Sequence, residues 1–153
     1  MESNQEIISD LKGLINILND GKEGYNSAAE TTKSSELQSV FLEQAAKRGM
    51  YAEELRAHLA QHGGSSENES GGALGVLHRT WIDIKQALSS HDDLSILGAI
   101  ETGEKAALEK FDKVLEDEGT DSDHLEILQK QRTGIREALS EIETYRQRLD
   151  TEI

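Results

Sequence analysis

The chain has 153 residues, with 30 acidic against 16 basic side chains and a formal net charge of −14, and it contains no cysteine and no proline. This length is that of one domain around one apolar core, and the strong negative charge disfavours nucleic acid and anionic lipid as partners. The absence of cysteine excludes disulfides, thiolate nucleophiles and cysteine-ligated zinc, so carboxylates and five histidines remain as candidate metal ligands.

The composition predicts an all-α protein, because only 4% of the residues are aromatic and Glu, Leu, Ala, Lys, Gln and Arg dominate. No apolar run approaches the ~20 residues that span a bilayer. The first ten residues also lack the positive and apolar regions of a signal peptide. We therefore expect a cytoplasmic protein without membrane contact.

Residues 4–61 predict an antiparallel helical hairpin. Apolar residues recur with helical spacing on both sides of a short break, and Ser3 with Glu6 has the spacing of a capping box at the start of the first helix. Ser35 and Gln38 repeat that spacing and predict the start of the second helix. Because only a few residues separate the two helices, they should pack side by side in opposite directions.

The rest of the chain predicts a connection and a second hairpin within a single domain that spans residues 1–153. Residues 62–72 are rich in Gly, Ser and acid, so we expect a mobile surface loop there. A short amphipathic helix is predicted over 73–89, and two longer helices over 93–150 are separated near Gly119. Two hairpins joined in this way predict a four-helix bundle with one long crossover that contains an additional short helix.

Glycine is unusually frequent inside the predicted helices, where each costs about 1 kcal/mol relative to alanine. Close approach of helix backbones is the ordinary explanation, and a local bend that forms a site is the rarer one. The glycines are Gly13, Gly21, Gly24, Gly49, Gly75, Gly98, Gly103 and Gly134.

Each of the four long predicted helices carries one charged residue in the middle of its apolar stripe. Glu104 is the single acid, and Lys22, Arg48 and Arg132 take the equivalent positions on the other three. A buried carboxylate needs a partner, and a cation on a neighbouring helix can provide one without any metal. We therefore predict a buried polar network around Glu104. Its expected flanking members are Gln44, Tyr51, Glu101 and Gln131.

A degenerate metal site is the alternative interpretation, with iron or manganese as the cofactor. Glu54 and His58 are four residues apart on one helix face, a spacing that can hold a divalent ion. Against it, Glu23 and Glu54 lie more than a quarter turn from the centres of their stripes, so we favour no cofactor. The candidate ligands are Glu23, Glu54, His58, Glu101 and Glu104.

The short helix predicted over 73–89 suggests self-association. Its apolar strip consists of Leu77, Trp81, Ile84 and Leu88. Four other helices already enclose the core, so this strip must cover either its own bundle or a second chain. Because two-fold pairing is the commonest closed assembly, we predict a homodimer with Trp81 near the contact.

Several segments also resemble a known family. They are DGKEGY (20–25), AAE (28–30), AAKRGMYAEEL (45–55), LHRTWIDIKQAL (77–88) and ETGEKAAL (101–108). In order and spacing, over nearly the whole chain, they are similar to a family of uncharacterised bacterial proteins with a ferritin-like four-helix bundle. The resemblance implies a ferritin-like fold and no activity, because the family is a domain of unknown function.

The wider ferritin-like class holds two metal ions with Glu residues and two Glu-x-x-His motifs. No Glu-x-x-His occurs in this chain. We therefore expect a non-catalytic bundle that acts through self-association or partner binding. A metal-dependent oxidase or a metal-storage protein is the alternative.

Overall fold

The computed structural model describes residues 4–63, 86, 88, 89, 92–117 and 125–152. These residues form four long helices, and the described ranges contain no strand: α1 (Asn4–Thr31), α2 (Ser35–Gln61), α3 (Asp93–Asp117) and α4 (Leu125–Glu152). The all-helical prediction is confirmed, and the helix bounds agree with the predicted ones to within a few residues. No helix in the described ranges is long and apolar enough to cross a membrane.

Some predictions fall on parts of the chain outside those ranges. They concern most of the loop 62–72, most of the helix 73–89 with Leu77, Trp81 and Ile84, the cap at Ser3, and the break at Gly119. These remain predictions, as does the assignment of residues 1–153 to one domain.

The start of α2 is capped one residue earlier than predicted. Ser34 is extended (φ −92°, ψ 122°), and its hydroxyl oxygen accepts a hydrogen bond from the Leu37 backbone N–H at 3.2 Å. An N-cap residue requires this extended backbone, whereas Ser35 is already helical. Gln38 does not complete a capping box but donates from its amide to the Ala29 carbonyl at 3.3 Å, which joins α2 to the end of α1.

α1 packs against both α2 and α3. Only three residues separate it from α2, so the two helices form the predicted antiparallel hairpin. Thr32, just after α1, donates from its hydroxyl to Asp93 at the start of α3, at 2.6 Å. At the other end of the pair, Gly13, early in α1, faces the side chain of Lys110, late in α3. The end of α1 thus meets the start of α3, and the two helices are antiparallel.

α4 is antiparallel to α2. Tyr145, near the end of α4, donates from its hydroxyl to Glu36 at the start of α2, at 3.1 Å. Gln131, near the start of α4, donates from its amide to the carbonyl oxygen of Tyr51, far along α2, at 3.1 Å. The later part of each helix therefore contacts the earlier part of the other.

α3 and α4 form the second antiparallel hairpin. Arg146, late in α4, contacts Glu101, early in α3. Arg132, early in α4, contacts Asp112, late in α3. α2 and α3 consequently run in the same direction at opposite corners of the bundle. The end of α2 and the start of α3 lie at opposite ends of the molecule.

The core consists of two apolar clusters. One contains Leu11, Leu14, Ile15, Ile17, Leu18, Ala52, Leu55, Leu59, Ala107, Leu108, Phe111, Val114, Leu128, Ile135 and Leu139. The other contains Tyr25, Ala28, Ala29, Leu37, Phe41, Ala45, Leu88, Ile96, Leu97, Ile100 and Ile142. Along α2 and α3, Arg48 and Glu104 occupy the positions where one cluster gives way to the other.

Leu88 corrects one prediction. As part of the apolar strip of the short helix it is predicted to lie at the homodimer contact, but it is 6% exposed and belongs to the second apolar cluster of its own bundle. Its side chain is therefore already covered without a second copy.

Candidate functional site

Arg48 and Glu104 form a buried ion pair across the middle of the bundle. Arg48 is 1% exposed and Glu104 is 3% exposed. Nη1 of Arg48 donates to Oε1 of Glu104 at 2.6 Å, and Nη2 donates to Oε2. The two-pronged geometry is the strongest arrangement that a guanidinium and a carboxylate can adopt. It compensates the charge of each partner inside the core.

Tyr25 of α1 completes this site. Its hydroxyl donates to Oε2 of Glu104 at 2.8 Å, and the guanidinium carbon of Arg48 lies 5.4 Å from the centre of its ring. The ring of Phe41 packs against Tyr25 with 6.1 Å between centroids. The residues Tyr25, Arg48 and Glu104, here called the polar cluster, thus join α1, α2 and α3.

The protonation states in the polar cluster follow from burial and charge. Burial is the largest cause that raises the pKa of Tyr25 well above its usual value, and the nearby Glu104 carboxylate raises it further. Burial lowers the pKa of Arg48, but the charge and hydrogen bonds of Glu104 more than offset this, so the pKa ends above its usual value. Tyr25 is therefore a neutral donor and Arg48 a permanent cation, and neither exchanges a proton near neutral pH.

Glycines on α1 and α2 lie against the side chains of Arg48 and Lys22. A Cβ at Gly21 would lie 3.1 Å from Nη1 of Arg48, so the absence of a side chain admits the guanidinium. Lys22, predicted to be buried, is instead exposed, and its side chain passes over Gly49, where a Cβ would lie 3.6 Å from Cδ of Lys22. The long side chain of a lysine can extend to water at little cost, whereas burying an unpaired ammonium is expensive.

Arg132 also differs from its prediction. It is partly exposed and pairs with Asp112 of α3, with Nη2 of Arg132 at 3.4 Å from Oδ2 of Asp112. The hydrogen bond from Arg132 to Asp112 thus replaces the predicted contact with Glu104. Arg132 stabilises the α3–α4 hairpin at its edge.

Glu101 lies one turn before Glu104 and has separate partners. It is 8% exposed, and it accepts hydrogen bonds from Lys105 at 2.9 Å and from Arg146 at 2.5 Å. The hydrogen bond from Lys105 is the largest cause that lowers the pKa of Glu101, Arg146 lowers it further, and burial opposes both. Glu101 is therefore an anion whose charge is compensated by Lys105 on α3 and Arg146 on α4.

The expected amide members of the network are buried. Gln44 is 5% exposed and Gln131 is 1% exposed. The Gln131 amide donates to the backbone carbonyl of Tyr51 at 3.1 Å and to Oε1 of Glu54 at 3.4 Å. Tyr51 is partly buried, and its hydroxyl would lie 2.1 Å from a Cβ at Gly134, so the glycine admits this ring against α4. These residues join α2 to α4.

The candidate metal ligands do not converge. Glu23 and Glu54 are exposed and His58 is partly buried, while only Glu101 and Glu104 lie in the core. Among the described residues, no three His, Asp or Glu side chains are placed so that they could hold a metal ion together. Both oxygens of Glu104 accept hydrogen bonds from Arg48.

A surface groove of about 500 Å³ lies between α3 and α4, away from the polar cluster. It is lined by Lys105, Leu108, Glu109, Asp112, Lys113, Glu116, Arg132 and Arg136. Side chains of both charge signs line it, so it shows no preference for an anionic or a cationic ligand.

Several partners were missed by the sequence analysis. Lys105 could have been found, because it follows Glu101 by four residues on the same helix. Arg146 and Asp112 carry no such local signal, since each contacts a residue on a different helix. Tyr25 also carries no local signal for its partner, because the residue that its hydroxyl reaches depends on how α1 packs against α3.

The fold and the polar cluster define a four-helix bundle whose centre is held by a buried ion pair. A family model with the description "Domain of unknown function (DUF2383)" matches residues 6–117, and the chain belongs to that family. The matched range includes Tyr25, Arg48 and Glu104 and ends with α3. Comparisons with curated proteins and with solved structures return no match.

Proposed function

We propose that this protein is a non-catalytic, ferritin-like helical bundle that acts through self-association or through binding a protein partner. In this proposal, the polar cluster takes the place of a di-metal centre. The observation that carries it is the two-pronged pairing of Arg48 with both oxygens of Glu104. A carboxylate occupied in this way specifies how α2 and α3 face each other across the bundle and is not available as a ligand.

The arrangement of the helices supports the ferritin-like assignment. The two helices within each hairpin are antiparallel. α2 and α3 run in the same direction, as in bundles that have one long crossover between two hairpins. An up-down-up-down bundle would instead place α2 and α3 antiparallel. The segments that carry the family resemblance include the positions of all three residues of the polar cluster.

The charge at the centre argues against a di-metal site. Ferritin-like metal centres are built from carboxylates and histidines on facing helices. Here Arg48, which stays protonated, occupies that region and would repel a divalent cation. Since the chain also has no Glu-x-x-His, the residues present do not fit such a centre.

Metal analysis of the purified protein tests this proposal. We expect no stoichiometric iron or manganese after growth with either metal, and the same result for Glu104→Gln and for Glu109→Gln, an exposed control on α3. About two metal ions per chain, the number held by ferritin-like sites, would overturn the proposal if they were lost in Glu104→Gln and kept in Glu109→Gln.

Self-association as a homodimer is part of this proposal. The strip of Leu77, Trp81 and Ile84 lies outside the described residues and remains the contact predicted from sequence. Light scattering of the wild type and of Trp81→Ala should show a dimer that is weakened in the variant. A monomeric wild type would contradict the homodimer and leave binding of another protein as the mode of action.

A further inference from the structure

We draw no further inference here: the strongest candidate, the pair of buried side-chain atoms Nε of Arg48 on α2 and Oε1 of Gln131 on α4, which make no hydrogen bond within the described part of the chain, carries nothing because both atoms are enclosed by protein and neither can be reached by a ligand.

Discussion

Arg48 and Glu104 are the residues on which the centre of this bundle depends. Moving two charges from water into a core costs several kcal/mol per ion, and hydrogen bonds between them recover most of that cost. The intact pair therefore adds little net stability. Replacing only one of the two residues leaves the other charge buried without an opposite charge. The loss of stability should then be much larger than the net contribution of the intact pair, and this difference can be measured.

Arg48→Met should lower the free energy of unfolding by about 3–5 kcal/mol, because Glu104 then stays buried without its cation. Adding Glu104→Gln should recover part of the loss, since the neutral amide can still accept the hydrogen bond from Tyr25. Urea denaturation of the wild type, both single variants and the double variant gives the coupling free energy between Arg48 and Glu104. Lys22→Met, at an exposed site, should change stability by no more than about 0.5 kcal/mol. Additive losses at Arg48 and Glu104 would contradict a shared network.

Tyr25 should make the fold sensitive to alkali. Burial, followed by Glu104, raises its pKa in the folded state, whereas an unfolded tyrosine ionises near pH 10. The neutral phenol thus contributes stability that is present below about pH 10 and is lost as the pH rises towards the folded value. Tyr25→Phe should remove part of the fall in unfolding free energy above that pH.

Urea denaturation at several alkaline pH values, together with the ultraviolet absorbance of tyrosinate, measures this effect. Tyr145→Phe is the matched control, because the pKa of Tyr145 is raised as well but its hydroxyl hydrogen bond to Glu36 is exposed to solvent. It should remove a smaller part of the pH dependence. An equal effect of both substitutions would argue against special protection of the Tyr25 phenol.

At the scale of helices, glycines set how closely the elements of the bundle approach. A Cβ at Gly134 would lie 2.1 Å from the Tyr51 hydroxyl oxygen and 3.1 Å from Cζ, so the ring of α2 is seated directly on the backbone of α4. At Gly98 the nearest side-chain atom is 3.9 Å away, in Arg146, which is ordinary contact. The same substitution should therefore have opposite effects at the two sites.

Gly134→Ala should destabilise the protein, because the clash with Tyr51 exceeds the gain in helix propensity. Gly98→Ala should stabilise it by up to about 1 kcal/mol, since only the helix propensity changes. Thermal and urea unfolding of both variants give the comparison. Tyr51→Phe in the Gly134→Ala background should restore part of the loss by removing the clashing oxygen. A stabilising Gly134→Ala would mean that Tyr51 moves aside without cost.

At the scale of the whole molecule, the polar cluster joins the two hairpins. Arg48 belongs to the first hairpin and Glu104 to the second, and they meet across the diagonal of the bundle, between helices that share no long edge. Tyr25 adds the remaining helix of the first hairpin to the same carboxylate. A shift of one hairpin along the other would break all three hydrogen bonds to Glu104 at once, so the cluster specifies how the two hairpins align.

The sequence by itself determined the features that depend on local periodicity. The 3.6-residue spacing of apolar residues predicts the helix bounds and the short break between α1 and α2. It also predicts that Arg48, Glu104 and Gln131 point inward, because the angular position of a residue on its own helix does not depend on the neighbouring helices. The pairing of the helices into two successive hairpins followed from the lengths of the connections between them, because a short connection places consecutive helices side by side.

Only the tertiary structure decided which charges meet. Lys22, Arg48 and Arg132 occupy similar positions in their stripes, yet of these three only Arg48 reaches Glu104, and its guanidinium also lies close to Gly21. Lys22 passes over Gly49 to water, and Arg132 finds Asp112 at the edge of its hairpin. Such choices depend on distances of a few ångströms between helices and on the cost of burying each unpaired cation, and neither quantity is encoded in the spacing along one helix.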